Sequence, residues 1–416
     1  MSASSSGVML RQVPVCCNPI FIIGSQRSGT SILARALGQH SALWYSSEGH
    51  VFYRLFDPHR LDEVYASEIG RPVRWIHKEG VTRLEFFESM GMGLNALFTS
   101  RSGGKRWIEK TPENTLIVDV LADMFPGSSF VHILRDGRHV VHSMIHMADA
   151  RWWTENLTRA CRQWRRYIHA AIEFTARHPE RCLTVRYEDL VADPEPGFQA
   201  ILRFIGAPDE AAPAAFFRSN RINSSFQRDA TGSPPRAPRA DPWAGWTLEQ
   251  RRTFLAEAGV AMLRYGLVGD AEMRRMEREA GGPGAEGAAQ QPWTRGLEDF
   301  RYDRSKRRIR DVVARLLPAG ATVLVVSKGD EELVQLGGGE GWHFPQDEQG
   351  TYAGYYPADS AEAIGQLEGL RARGAGYLLL PRPAFWWLEH YGAFRQHLEA
   401  HYPCICSDED CVIYAL

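Results

Sequence analysis

The sequence predicts an α/β fold: a P-loop-like parallel sheet with helices on both faces, plus a small C-terminal α/β domain. Three observations predict it. Short strand-like runs at Ile20–Ile23, Arg106–Lys110, Phe130–Leu134 and Cys182–Arg186 alternate with longer segments of helical periodicity. The first run passes through Gly24 into a polar turn and a helix start. From Gly281 to Pro292 the composition shifts to Gly, Ala, Pro and Gln, as in a flexible linker, and strand–helix alternation resumes beyond it. The expected divisions are an N-terminal tail (1–18), a main domain (19–280), a linker (281–292) and a small α/β domain (293–416).

Taken in order, Ile20–Ile23 is short and apolar enough to be a buried parallel strand. It leads into Ser25-Gln26-Arg27-Ser28, then Gly29-Thr30-Ser31, then Ile32, Leu33, Ala36 and Leu37 at helical spacing. A strand, a glycine-bounded loop and a helix start present amides and a positive dipole end to an anion. The ATPase phosphate loop is similar in spacing but needs a Lys where Thr30 stands; here the cation, Arg27, lies inside the loop. Trp44–His50 is a polar break. Leu84, Phe87, Met90, Leu94 and Leu97 recur as one buried helix face. Arg106–Lys110 is a strand halted by Thr111-Pro112, and Leu116–Phe125 is a helix closed by Pro126-Gly127. Phe130–Leu134 runs into Arg135-Asp136-Gly137-Arg138 and a helix through Met147. A Trp- and Arg-rich helix covers Thr154–Ala176, and strand Cys182–Arg186 precedes Tyr187-Glu188-Asp189-Leu190. Ala230–Pro242 is a Pro-rich loop, and Trp246–Gly266 is helical. In the last domain Ile309, Val312, Val313 and Leu316 form an apolar helix face. Arg304, Lys306, Arg307, Arg308 and Arg310 then make a basic face, read as solvated in preference to one that meets an acidic partner. Thr322–Val326, Tyr377–Leu380 and Cys411–Tyr414 are strands, with helices at Ala361–Arg373 and Phe385–Tyr402.

Ligands of such sheets bind beyond the carboxyl ends of the strands. Every polar cluster above lies at such an end, apart from Ser46–His50. With 48 basic and 50 acidic residues the net charge is −2, which argues against broad nucleic-acid binding. No apolar stretch is long enough to span a bilayer, and MSASSSGVMLRQV lacks the apolar core of a signal peptide, so a cytoplasmic protein is expected. Seven cysteines, an odd number, fit a reducing compartment. His397, His401, Cys404, Cys406 and Cys411 could be arranged around zinc, but Cys404-Ile405-Cys406 lacks C-x₂-C spacing. Buried free thiols are the favoured reading, and no metal is expected.

Four clusters stand together: Gly24–Ser31, Glu48, Lys110-Thr111-Pro112, and Arg135 with Ser143. The loop GSQRSGTS resembles the 5′-phosphosulfate loop of sulfotransferases. Arg135-Asp136-Gly137-Arg138-His139-Val140-Val141-His142-Ser143-Met144 resembles their 3′-phosphate segment. The RDGR-x-x-VHSM run is most similar to the tyrosylprotein sulfotransferase branch, and the likeness extends over about Pro19–Leu267. It implies 3′-phosphoadenosine 5′-phosphosulfate (PAPS) as co-substrate, held at the 5′ end by Ser25, Gln26, Arg27, Ser28, Gly29, Thr30 and Ser31. Arg135 and Ser143 would hold the 3′-phosphate, with Tyr187 near the nucleotide. Glu48 falls at the branch's catalytic glutamate, with His50 as the competing base, and Lys110 matches the family's lysine before a Pro-containing turn. Ser224 or Ser225 would supply a late active-site serine.

The physics agrees with that implication. An anion charged at both ends needs two cationic, amide-rich cradles, and sulfuryl transfer, like phosphoryl transfer, relies on positioning and charge balance. Two expected departures, no membrane anchor and Ser47-Glu48 in place of an acidic pair, leave the acceptor open. A sugar, lipid, secondary-metabolite or peptide-tyrosine hydroxyl would serve. A nucleotide kinase or NTPase, and a glycan-binding protein on the same fold, are the alternatives. Gly341–Pro345 and Tyr352–Pro357 resemble, loosely, a module of bacterial glycosyl- and sulfotransferases; their aromatics either line a surface or pack the small domain.

Overall fold

A computed structural model describes residues 14–56, 58–146, 156–220, 241–281 and 292–416. The predicted linker lies almost wholly outside these residues. So do Met147, Ser224, Ser225 and most of the 230–242 loop. The chain divides into two compact units, residues 1–293 and 294–416.

Among the described residues the first unit holds five strands: β1 (Ile20–Ile23), β2 (Leu43–Trp44), β3 (Arg106–Glu109), β4 (Ser129–Leu134) and β5 (Cys182–Arg186). Their order is β2-β3-β1-β4-β5 and every pairing is parallel. Because side chains alternate along a strand, β1 feeds two cores. Ile20 and Ile22 join Ile32 and Leu33 of helix α1 (Thr30–Leu37), whereas Phe21 joins Trp107, Phe130 and Phe174 on the opposite face. β1 is the switch point: β3 lies on one side of it and β4 on the other.

The sequence reading missed β2, and with it the reason Ser46–His50 falls in line with the other polar clusters. That segment also follows the carboxyl end of a strand. A two-residue strand leaves no periodicity to read. The helix at Arg83–Arg101 is a second correction. Phe87 is buried, but Leu84, Met90 and Leu97 are exposed and Leu94 is only half-buried. At Gly91 the helix lies so close to the Met124 carbonyl that a Cβ would sit 2.7 Å from it. This contact turns the Phe87–Gly91–Asn95–Phe98 stripe inward. Asn95 on that stripe accepts from the Trp107 indole (3.2 Å) and the Cys16 amide (2.9 Å).

His132 on β4 is fully buried, with Nδ1 3.1 Å from Thr184 Oγ1. Burial pushes its pKa down to about 3. The unfolded chain then binds a proton that the folded one refuses between about pH 6.5 and 3, so stability is complete above that window and falls as pH drops through it. Acidification from pH 7 to 5 should cost about 2 kcal/mol through this group. His132→Asn should flatten that part of a urea-midpoint-against-pH curve; an unchanged slope would remove His132 from the account.

The second unit has β6 (Thr322–Val325), β7 (Glu340–His343), β8 (Tyr377–Pro381), β9 (Cys404–Ser407) and β10 (Cys411–Ala415), ordered β7-β6-β8-β10-β9. β6 is parallel to β7 and β8, while β10 is antiparallel to β8 and β9. On the helix Pro292–Leu316, Ile309, Val312 and Val313 are buried as expected. Leu316 is exposed, and Leu317, beyond the last turn, is buried instead.

The predicted solvated basic face is only partly one: Arg307 is exposed and the Arg308 side chain is 43% exposed, but the run also has partners. Lys306 is buried against Glu332 (2.7 Å) and Asp303 (3.2 Å), Arg308 pairs with Glu409 (2.7 Å) and Asp410 (3.0 Å), and Arg310 donates to the Gln335 and Glu332 carbonyls. All seven cysteines are free thiols, but Cys404 is exposed and Cys406 half-buried, so of the C-terminal three only Cys411 meets the expectation of burial. The histidines of the zinc reading are engaged elsewhere: His397 Nε2 lies 2.8 Å from Glu368, and His401 Nδ1 2.9 Å from the His397 carbonyl.

Candidate active site

Each strand of the first sheet delivers part of one site at its carboxyl end. β1 ends in Gly24 at φ +144°, where a Cβ would meet the Ile133 carbonyl oxygen at 2.7 Å. Gly29, at φ +103°, caps α1 and packs so closely on Tyr187 that a Cβ would lie 2.5 Å from its ring. Between them the Ser28 amide donates to the Ser25 carbonyl (3.1 Å). α1 has no acidic residue in its first turn, so nothing of its own neutralises the positive end of its dipole. Gln26 Nε2 donates to the Tyr167 hydroxyl (2.7 Å). Gln26 Oε1 and Ser28 Oγ are buried without a partner among the described residues, the state of polar atoms that a ligand would satisfy.

The motif after β4 meets this loop directly. Arg27 Nε donates to Ser143 Oγ (2.9 Å), Arg135 Nη1 donates to the Arg27 carbonyl (2.7 Å), and the Arg135 guanidinium lies over the Tyr187 ring at 4.2 Å. On the other side of β1, Lys110 Nζ donates to Ser31 Oγ (2.9 Å) and forms an ion pair with Glu48. The second Glu48 oxygen is 3.0 Å from His50 Nε2. The two competing bases therefore touch. Lys110 is fully buried, and burial drives its pKa down against the opposing pull of Glu48. Arg27 (φ +69°) and His50 (φ +48°) both hold left-handed backbone, a strain that surrounding contacts must maintain.

Residues 19–211 match the model of the sulfotransferase family. The likeness to that family is confined to this segment, a little under half of the chain. The chain is 29% identical over 196 residues to protein-tyrosine sulfotransferase 1 of Danio rerio, an alignment covering 45% of this chain and 53% of that protein. It is 29% identical over 191 residues to protein-tyrosine sulfotransferase 2 of Gallus gallus, covering 45% of this chain and 50% of that protein. The chain thus spans about half the length of these two relatives. Among solved structures, a sulfotransferase domain from the curacin biosynthetic pathway is 16% identical, with 64% of this chain and 99% of that chain covered and a TM-score of 0.35.

Glu109 escaped the sequence reading. It is buried at the end of β3 and accepts from the Gly49 amide (3.1 Å), the Thr111 amide (3.2 Å), the Thr111 hydroxyl (2.7 Å) and the Asn114 amide group. Thr111 Oγ1 in turn accepts from the His50 amide (3.1 Å). One buried carboxylate thereby fastens the Glu48–His50 segment to the Lys110 turn. Burial raises its pKa, opposed by those hydrogen bonds and by Lys110. A carboxylate within a buried strand requires such partners, and that requirement was the available signal. Arg138 of the RDGR run turns away from the site, onto Asp136 (2.6 Å) and Glu272 (2.8 Å). Among the described residues no helix is long and apolar enough to cross a membrane.

Proposed function

We propose that the sulfotransferase segment moves the sulfuryl group of PAPS to an acceptor hydroxyl by in-line displacement, with Glu48 as general base. The observation that carries this reading is the contact chain Ser31–Lys110–Glu48–His50, which joins three sequence clusters at neighbouring strand ends. The family match and the unpartnered Gln26 and Ser28 atoms support it. PAPS supplies the sulfuryl group and departs as 3′,5′-ADP. Ser25, Gln26, Arg27, Ser28, Gly29, Thr30 and Ser31 would hold the 5′ end, Arg135 and Ser143 the 3′-phosphate, and Tyr187 would flank the nucleotide. Glu48 takes the acceptor proton, while Lys110 and Arg27 balance negative charge. His50 keeps the carboxylate oriented. The relatives' names support a peptide-tyrosine acceptor; sugar, lipid and secondary-metabolite hydroxyls are the other acceptors to assay.

Nucleotide selectivity tests the reading without an acceptor. Thermal shifts at equal concentrations of 3′,5′-ADP, ADP and magnesium-ATP rank the affinities. A charge-assisted contact to a 3′-phosphate is worth about 1.5–3 kcal/mol, so 3′,5′-ADP should bind roughly ten- to a hundredfold tighter than ADP. A chelator should leave its shift unchanged. Arg135→Ala should abolish most of the preference, whereas Arg27→Ala should weaken both adenine nucleotides. Tighter binding of ADP or magnesium-ATP would replace this reading with that of a kinase.

A further inference from the structure

Among the described residues, three that are not glycine have positive φ: Arg27, His50 and Lys328. The first two belong to the site just described. The third occupies the corresponding place in the second sheet. Lys328 (φ +54°) follows β6, and β6 is the strand whose parallel neighbours, β7 and β8, lie on opposite sides, the switch point at which open α/β sheets bind ligands. Left-handed backbone in a residue with a Cβ costs free energy and persists only where the surroundings enforce it.

The enforcing contacts are present. Ser327 Oγ is 2.6 Å from His343 Nδ1, accepts from the Gly329 amide (3.2 Å), and both side chains are buried. Lys328 Nζ donates to the Pro383 carbonyl (2.9 Å) and lies 5.5 Å from the Trp386 ring centroid. No described carboxylate pairs with it, although Lys306, Arg308, Arg371 and Arg395 of this unit all have acidic partners. Tyr356, 43% exposed, stands edge-on to Trp386 at 5.2 Å and 83°. Tyr352 closes the other flank, packed so that a Cβ on Gly329 would lie 3.0 Å from its ring.

We propose that this strand end is a second ligand site, taking a small sugar that carries a carboxylate, phosphate or sulfate. Lys328 receives the anion, since its charge has no acidic partner and the strained backbone fixes where its side chain starts. The Trp386–Tyr356 corner receives the ring. Two aromatic rings at right angles do not make a slot for a flat base, but they offer faces to the C–H groups of a puckered ring, whose hydroxyls stay in water. The Ser327–His343 pair holds the loop in place.

The test uses the full chain and calorimetric titration with glucuronate, glucose 6-phosphate, glucose 6-sulfate, glucose and inorganic sulfate. The three charged sugars should bind saturably and at least about tenfold tighter than either glucose or sulfate. Lys328→Gly removes the ammonium and also relieves the left-handed strain, so the variant should fold at least as well as the parent. It should nevertheless lose the preference for charged sugars. Tyr356→Ala should weaken charged and neutral sugars alike. Arg135→Ala, at the other site, should change none of these values. The proposal is overturned if no probe binds, if Lys328→Gly keeps the preference, if sulfate alone equals the charged sugars, or if Arg135→Ala removes the binding.

Discussion

Glu48→Gln is expected to lower turnover by on the order of 10²–10⁴-fold, the usual contribution of a positioned general base. Turnover is read as 3′,5′-ADP released from PAPS with a panel of tyrosine-peptide, phenol and sugar acceptors. Affinity for 3′,5′-ADP should hardly change, because Glu48 faces Lys110 and His50 and is assigned no phosphate. The amide keeps the size of the side chain and can still accept from Lys110, so the loss isolates the proton-accepting role. His50→Ala removes the 3.0 Å contact that orients Glu48 and should cost only about tenfold. If His50→Ala matches or exceeds the Glu48→Gln loss, the base is His50 and the carboxylate is its positioning partner.

Lys110→Met should have the second large effect, on stability as well as on activity. The Lys110 side chain is 0% exposed and Glu48 10%. Removing the ammonium leaves a nearly buried carboxylate without its counter-ion, which typically costs about 3–5 kcal/mol. Turnover should fall by roughly 10²-fold or more, because the cation that would balance charge on the transferred group is gone. Adding Glu48→Gln to Lys110→Met should restore most of the stability and none of the turnover. Such a cycle separates the ion pair from the chemistry. Equal stability of Lys110→Met and the parent would mean that the pair is solvated. Unchanged turnover would remove Lys110 from the catalytic set.

By itself the sequence determined the parallel α/β alternation and the four clusters of the first unit. Both are local. A buried strand of four residues, a glycine at each end of a loop, and an arginine eight residues before a serine are recorded in consecutive letters. The second unit was legible for the same reason where its strands are apolar, as at Thr322–Val325, and was missed at Glu340–His343 and Cys404–Ser407, whose residues are mostly exposed or half-buried. Only the tertiary structure decided what faces what. The Arg83–Arg101 helix turned its Phe87–Gly91–Asn95–Phe98 stripe inward because one glycine permits close approach at Met124. The basic run around Lys306 found acids 26 to 102 residues away in sequence. Glu109 became the fastening of the site because β2 pairs with β3 and brings Gly49 to its carboxylate. Lys328 stands out only once its backbone angle and its place beyond β6 are known. Periodicity reports which residues prefer burial. Which of them are buried, and which charges meet, depends on contacts between segments far apart in the chain, and these form only when the whole unit packs.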